Sequence, residues 1–284
     1  MLGRVTPAPV TVGSSFFIQP LDLWHLIGTP NAPVVLDVSR RDIYDAWPGV
    51  IPTSRWRGPN EIATWEGALD RSTPIAVACK AGHDFSQAVV SRLRGNGFAA
   101  SVVEGGNNGW TDAGLPRVSK PPLDRLAPKR PSLWVTRRRP KIDRIACPWL
   151  IARFLDSDAR FLFVDPPEVL PVAGETGATP FDIEGIELSH EGGRCSFDTM
   201  LKLFGLESEP SLARLALIVR GADTARPDIA PEAAGLHAVS LGLSVLAGDD
   251  DHGLLERGFM IYDALFAWLR FAAKERHNWP AKAA

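Results

Sequence analysis

Cysteine is scarce here: Cys79, Cys147 and Cys195 are the only three in a chain of 284 residues. An odd count leaves at least one thiol unpaired within the chain, and a chain this long does not need disulfides, so a reducing compartment is expected. No stretch approaches the roughly 20 uninterrupted apolar residues that cross a bilayer. The most apolar one, Phe259 to Phe271, is broken by Asp263 and Arg270. The first twenty residues hold one arginine and several prolines but no apolar core of signal-peptide length. These absences predict a cytoplasmic protein with no membrane partner. Dominant charge is missing too: 31 Lys and Arg against 33 Asp and Glu give a formal net charge of -2, which removes any global pull toward nucleic acid. HExxH and CxxC are absent, and the glycine-rich run Glu104 to Gly109 lacks the lysine and spacing of a phosphate-binding loop.

What is present describes an ordinary globular chain, 45% hydrophobic and 23% charged, long enough for two cores. Upstream, the β-branched runs PVVLDVS, PIAVAC and ASVVEG alternate with helix-like stretches. One of these, SQAVVSRLRGNGF, carries Ala88, Val89, Leu93 and Phe98 at helical spacing and stops at Gly95 and Gly97. That alternation predicts an α/β unit with a largely parallel sheet over residues 15–118. A proline-rich, basic linker follows at 119–131, where extended backbone is expected. Residues 132–284 read as a mainly α unit. Its first helix pattern, IDRIACPWLIARFLD, contains Pro148, so the helix starts late or kinks there. RFLFVD is one buried strand, and four further helices run from SFDTMLKLFG to the last long segment. In that last helix, the stripe Phe259, Tyr262, Phe266, Trp268 and Leu269 reads as core. His237 reads as a core histidine with its polar atoms satisfied.

The most informative segment is IAVACKAGHDFSQAVVSRL, in which an apolar strand ends on Cys79 and a short loop through Gly82 enters a helix. Successive backbone N–H groups and a helix N-terminus facing a sulfur stabilise its thiolate, and the same cradle would hold a persulfide or an oxyanion. Lys80 and His83 add positive charge, while Gly82 allows a tight curl. The competing reading is a buried structural thiol. A phosphatase-like site would need an arginine six residues past the cysteine, and Phe85 stands there.

Four motifs in register resemble the rhodanese superfamily. They are Val34-Val35-Leu36-Asp37-Val38, Gly49-Val50-Ile51-Pro52, the Cys79 loop, and Glu104-Gly105-Gly106 followed by Trp110. The resemblance implies a rhodanese-like α/β fold and a sulfurtransferase. Cys79 would carry a persulfide, and Lys80, Gly82, His83 and Asp84 would form its loop. A sulfane-sulfur donor and a thiol acceptor would be the partners, with no cofactor required for sulfur transfer. Two departures bear on the donor: Ser39 replaces the family's frequent arginine, leaving Arg40 one place later, and Asp84 stands where thiosulfate-using members are often basic. An acid there repels a doubly charged donor.

Between Arg117 and Arg144, ten Lys or Arg face two acids, Asp124 and Asp143. Guanidinium forks bind tetrahedral anions, so Arg137, Arg139 and Arg144 are oxyanion-binding candidates, and DNA phosphates are a weaker alternative for the same patch. From Trp134 to Arg270 the chain resembles the C-terminal domain of ChrB-type chromate-resistance proteins. DRIACPWLI at 143–151, FLFV at 161–164, FDI at 181–183, CSFD at 195–198, VRGAD at 219–223 and EAAGL at 232–236 carry the resemblance. It implies a role in chromate resistance or sensing. Within SHEGGRCSF, His190, Glu191 and Cys195 form a candidate transition-metal set, with Asp223, His252 or Glu256 completing the shell. The alternative to a sulfurtransferase is therefore a chromate-responsive regulatory or oxyanion-binding protein whose rhodanese-like unit is silent.

Overall fold

The computed structural model describes residues 11–275. Five parallel strands build the first sheet: β1 (Phe17–Ile18), β2 (Val34–Asp37), β3 (Arg55–Trp56), β4 (Ile75–Ala78) and β5 (Ala100–Val103), in the spatial order β1-β5-β4-β2-β3. All residues of β4 and β5 are buried, because helices cover both faces of a central parallel strand. The edge strands β1 and β3 are two residues long, which leaves little edge to pair with another chain. Around the sheet run α1 (Pro20–Leu26), α2 (Asp84–Gly95) and α3 (Gly106–Asp112). Helix α2 follows the expected pattern with one change of face, since Ser86, Val89, Val90 and Leu93 are buried and Ala88 is exposed. The expected α/β arrangement, a parallel sheet flanked by helices, is the one observed.

The proline-rich stretch departs from the extended backbone expected of it. Val118–Ser119 pairs antiparallel with Gly49–Val50, and α4 (Lys120–Leu126) follows at once. Pro121 and Pro122 lie in the first turn of α4, where helix N–H groups lack intrahelical acceptors anyway, so their missing protons cost nothing. The Lys120 ammonium donates to the Tyr44 carbonyl at 2.8 Å, fastening this helix to the short helix Arg41–Ala46 of the first unit.

Beyond it lies a smaller parallel sheet of β6 (Leu133–Arg137), β7 (Arg160–Val164) and β8 (Thr179–Pro180), with β6 in the centre. Only β7 was expected. β6 was absorbed into the basic hinge because its charged end, Thr136-Arg137, hides three apolar residues. Helix α5 (Asp143–Leu150) starts before Pro148 and runs into a wider π turn at Ile151–Leu155. Helix α6 (Val169–Thr176) flanks β6, and α7 (Ser196–Leu203), α8 (Pro210–Asp223), α9 (Ala233–Ala247) and α10 (Asp251–Ala267) complete a helix-rich unit. Tyr262 and Phe266 of the aromatic stripe are buried, as core packing requires. His237 is satisfied by the Ala222 carbonyl at 3.0 Å, yet it is exposed, because α9 turns Leu236, Ser240 and Ser244 inward instead.

One apolar cluster spans both halves, running from Leu23, Trp24 and Ile27 through Trp110 to Trp149, Phe154 and Phe266. Trp24 and Phe154 have ring centroids 6.2 Å apart. Across the same boundary, Thr53 N–H donates to the Phe154 carbonyl at 2.8 Å, and Arg270 donates to the carbonyls of Trp24 at 2.8 Å and Ile27 at 3.0 Å. No helix among the described residues is long and apolar enough to cross a membrane.

Candidate functional site

Asp37 and Cys79 stand at the carboxyl ends of the adjacent strands β2 and β4, the end of an open parallel sheet where ligands bind. The peptide after Cys79 curls through Gly82, at φ 72°, into α2. It is held from behind by the turn that opens α3. Asn107 N–H donates to the Cys79 carbonyl at 2.8 Å and Asn108 N–H to the Lys80 carbonyl at 2.9 Å. Gly106, at φ 58°, lies so close that a Cβ would fall on the Cys79 carbonyl and within 2.5 Å of the Gly82 nitrogen. A chain of side chains fixes the turn in place: the Asn107 amide donates to Asp37 at 2.8 Å, and Arg117 donates to Asn107 Oδ1 at 3.1 Å.

With its carbonyls engaged, the loop keeps its amides free: among the described residues, the N–H groups of Lys80, Ala81, Gly82 and His83 reach no acceptor. Cys79 is 5% exposed and borders a cavity of about 260 Å³ with Ser39, Arg40, His83, Asp84 and Phe85. Its Sγ lies 3.2 Å from the hydroxyl of Ser86, which is fully buried and also donates to the His83 carbonyl. Arg40, the nearest substitute for the family arginine, is exposed and paired with Asp42 at 2.9 Å. The other two thiols are fully buried, and burial pushes both well above the ordinary thiol range, which leaves them protonated.

A second constellation lies in the helix-rich unit. Asp143 opens α5, Asp182 follows β8, Asp223 closes α8, and the loop residue His190 reaches all three from Nε2. The distances are 3.1 Å to Asp143, 3.5 Å to Asp182 and 3.4 Å to Asp223. Asp143, Asp182 and His190 offer ligand atoms within 4.8 Å of one another. The hydrogen bond to Asp143 raises the imidazole to about 9, and burial followed by repulsion from Asp143 raises the Asp223 carboxyl. Asp182 is also raised, by burial first. The backbone is strained around this cluster, with Arg139, Ile142 and Asp182 all at positive φ, a conformation that costs on the order of 1–3 kcal/mol per non-glycine residue.

Of the candidate metal set, this geometry brings His190 and Asp223 together, beside Asp143 and Asp182. Glu191 is exposed and paired with Lys202 at 2.9 Å. Cys195 caps α7, with its thiol on Asp198. His252 packs edge-on against Phe163, and Glu256 is exposed on α10. Asp143 and Asp182 lay outside the candidate set because a lone aspartate in an apolar stretch has no spacing signature. Arg137 pairs through one Nη with Asp182 at 2.7 Å while its Nε–H is buried without a partner, and Arg144 lies 3.4 Å from the same carboxylate and donates to the Arg138 carbonyl at 3.2 Å. Arg139 is exposed, and its backbone N–H donates to Asp251 at 2.7 Å.

Residues 134–269 match the family described as ChrB, C-terminal domain. Protein ChrB of Cupriavidus metallidurans is 37% identical over 133 residues, 47% of this chain. The chain spans 39% of the length of that relative. Among solved structures, a rhodanese-related protein from Thermoplasma volcanium is 29% identical, covers 37% of this chain and is itself covered in full, with a TM-score of 0.33. A rhodanese-like domain protein from Staphylococcus aureus is 23% identical, covers 34% of this chain over 91% of its own, and has a TM-score of 0.31. Over 134–269, then, the chain matches the ChrB C-terminal domain, and the part before it is similar to rhodanese-related proteins.

Proposed function

We propose that the chain is a sulfurtransferase linked to chromate resistance or sensing. The Cys79 thiolate attacks the outer sulfur of a sulfane-sulfur donor. A Cys79–sulfur bond forms, the donor's sulfur–sulfur bond breaks, and the remainder of the donor leaves with the electron pair. A thiol acceptor then attacks the outer sulfur of the persulfide and regenerates the thiolate. The observation that supports this reading is the curled loop after Cys79, in which the N–H groups of Lys80 to His83 meet no acceptor among the described residues while the Cys79 and Lys80 carbonyls are held by Asn107 and Asn108. Such donors stabilise a terminal persulfide anion. Asp84 and the Asp42-bound Arg40 disfavour a dianionic donor and favour a neutral or singly charged one. Incubating the purified chain with a sulfane-sulfur donor should add one sulfur by intact mass, and Cys79→Ser should add none. An equal gain in the variant ends the reading.

One observation favours a role for the second unit as well. Three buried or half-buried carboxylates converging on one imidazole are the donor set of a divalent transition ion. Asp143, Asp182 and His190 would hold it, with Asp223 alongside. Elemental analysis of protein purified without a histidine tag should find the ion, and His190→Ala should lose it. A protein in which these groups only stabilise one another would show no metal in either form. The silent-scaffold alternative, a chromate-responsive regulator, requires salt-sensitive binding to promoter DNA. Sulfur loading at Cys79 distinguishes it from the enzyme.

A further inference from the structure

The geometry points to a binding site for a small, doubly charged tetrahedral oxyanion in the cleft between β3 and the segment after α4, where Arg57 and Arg130 converge with Arg55 and Ser54. The cleft measures about 270 Å³, and Tyr44 and Asp124 also line it. Its arginines differ in what holds them. Arg55 is anchored by Asp156 at 2.9 Å and Asp158 at 2.7 Å. Arg57 and Arg130 have no carboxylate within ion-pairing distance among the described residues. Arg57 donates from Nη1 to its neighbour's carbonyl at 3.2 Å, and Arg130 donates to the Thr53 carbonyl at 3.2 Å. The Arg57 Nε–H is buried without a partner, and so is the hydroxyl of Ser54, which is 2% exposed.

Buried donors left unmade cost free energy, about 1–3 kcal/mol each, and native structures rarely keep several in one place unless something supplies the acceptors. A tetrahedral dianion supplies four acceptor oxygens to two guanidinium forks and a hydroxyl, which matches the inventory here. Burial lowers both unpaired guanidinium groups, Arg130 despite partial compensation by Asp156. Each would therefore gain from an incoming anion. Asp124 is the one carboxylate lining the cleft; it is exposed, so water screens its repulsion. The Tyr44 phenol, raised to about 12 chiefly by burial, stays neutral and adds no charge.

This inference stands apart from sulfur chemistry at Cys79. It rests on the chromate-linked role proposed above, names a ligand class for it and places that ligand at the junction of the two halves. The test uses the full chain with sulfate and chromate as probes, at constant ionic strength set with chloride, followed by calorimetry and thermal melting. The expected result is saturable binding of one anion per chain and a rise in Tm. Arg57→Met and Arg130→Met should each weaken binding about tenfold or more, Ser54→Ala several-fold, and the exposed Arg139→Met not at all. Ser54→Ala removes one small group, so it keeps the test decisive should an arginine variant fail to fold. Cys79→Ser should bind the anion as wild type does, which separates this outcome from that of sulfur loading. No saturable binding, or variants that bind like wild type, would overturn the assignment.

Discussion

At the scale of single residues, the Cys79 site depends on an atom that is missing. Gly106 has no side chain, and its backbone sits where any Cβ would meet the Cys79 carbonyl and the Gly82 amide. Gly106→Ala must either move the loop or strain a left-handed backbone, at a cost of about 2–3 kcal/mol. We expect denaturant melts to show that loss, and sulfur loading at Cys79 to fall with it. Retained stability with full loading would mean that the turn does not shape the loop. This glycine was legible in the sequence as part of Glu104-Gly105-Gly106, but its partner was not, because which backbone it approaches is decided by a strand crossing over from residue 79. The arginines show the opposite failure. Arg137 and Arg144 were conspicuous because they are clustered in sequence, yet they share one carboxylate, Asp182, some forty residues later. Arg57 and Arg130, which no carboxylate pairs among the described residues, lie far apart in the sequence and meet at one cleft.

At the scale of elements, periodicity located α7 to α10 closely, but it did not say which face turns inward. Helix α9 buries Leu236, Ser240 and Ser244 and leaves Val245 and Leu246 each 78% exposed. Replacing that exposed pair by serine should change stability by no more than about 0.5 kcal/mol, whereas Leu236→Ala should cost about 2–4 kcal/mol. A large loss from the serine pair would reveal a partner surface in the protein as prepared. Helix α1 carries a pH signal. His25 lies near its end, and burial first, then Arg270, lower its pKa below 6.5. The folded state therefore binds this proton less readily than the unfolded chain does. This cost is absent above 6.5 and grows as pH falls through it, until both states are protonated. His25→Gln should flatten the pH dependence of Tm in that range, and an unchanged slope would assign it to other groups. Short edge strands and β6 were the least legible elements. Two-residue strands carry no period, and β6 owes its place to β7 and β8 on either side of it.

At the scale of the whole molecule, composition suggested two units, and the sheet and helix-rich halves are each recognisable. Their packing was beyond reach of the sequence, because the residues that join them, such as Trp24, Phe154 and Phe266, look like ordinary core residues of their own halves. With one apolar cluster running through both, heating should give a single transition, with far-ultraviolet and tryptophan signals melting together. Phe154→Ala, which empties the space beside Trp24, Trp149 and Phe266, should lower stability by about 3–5 kcal/mol and keep the two signals coincident. Two separated melting steps would show that the halves fold independently.

Arg270 gives this joint a direction in time. Its guanidinium closes on the last carbonyls of α1, nearly 250 residues earlier. During synthesis the first helix therefore emerges from the ribosome long before its clasp exists. Arg270 can tie α1 to the second half only once the helices before it have been made.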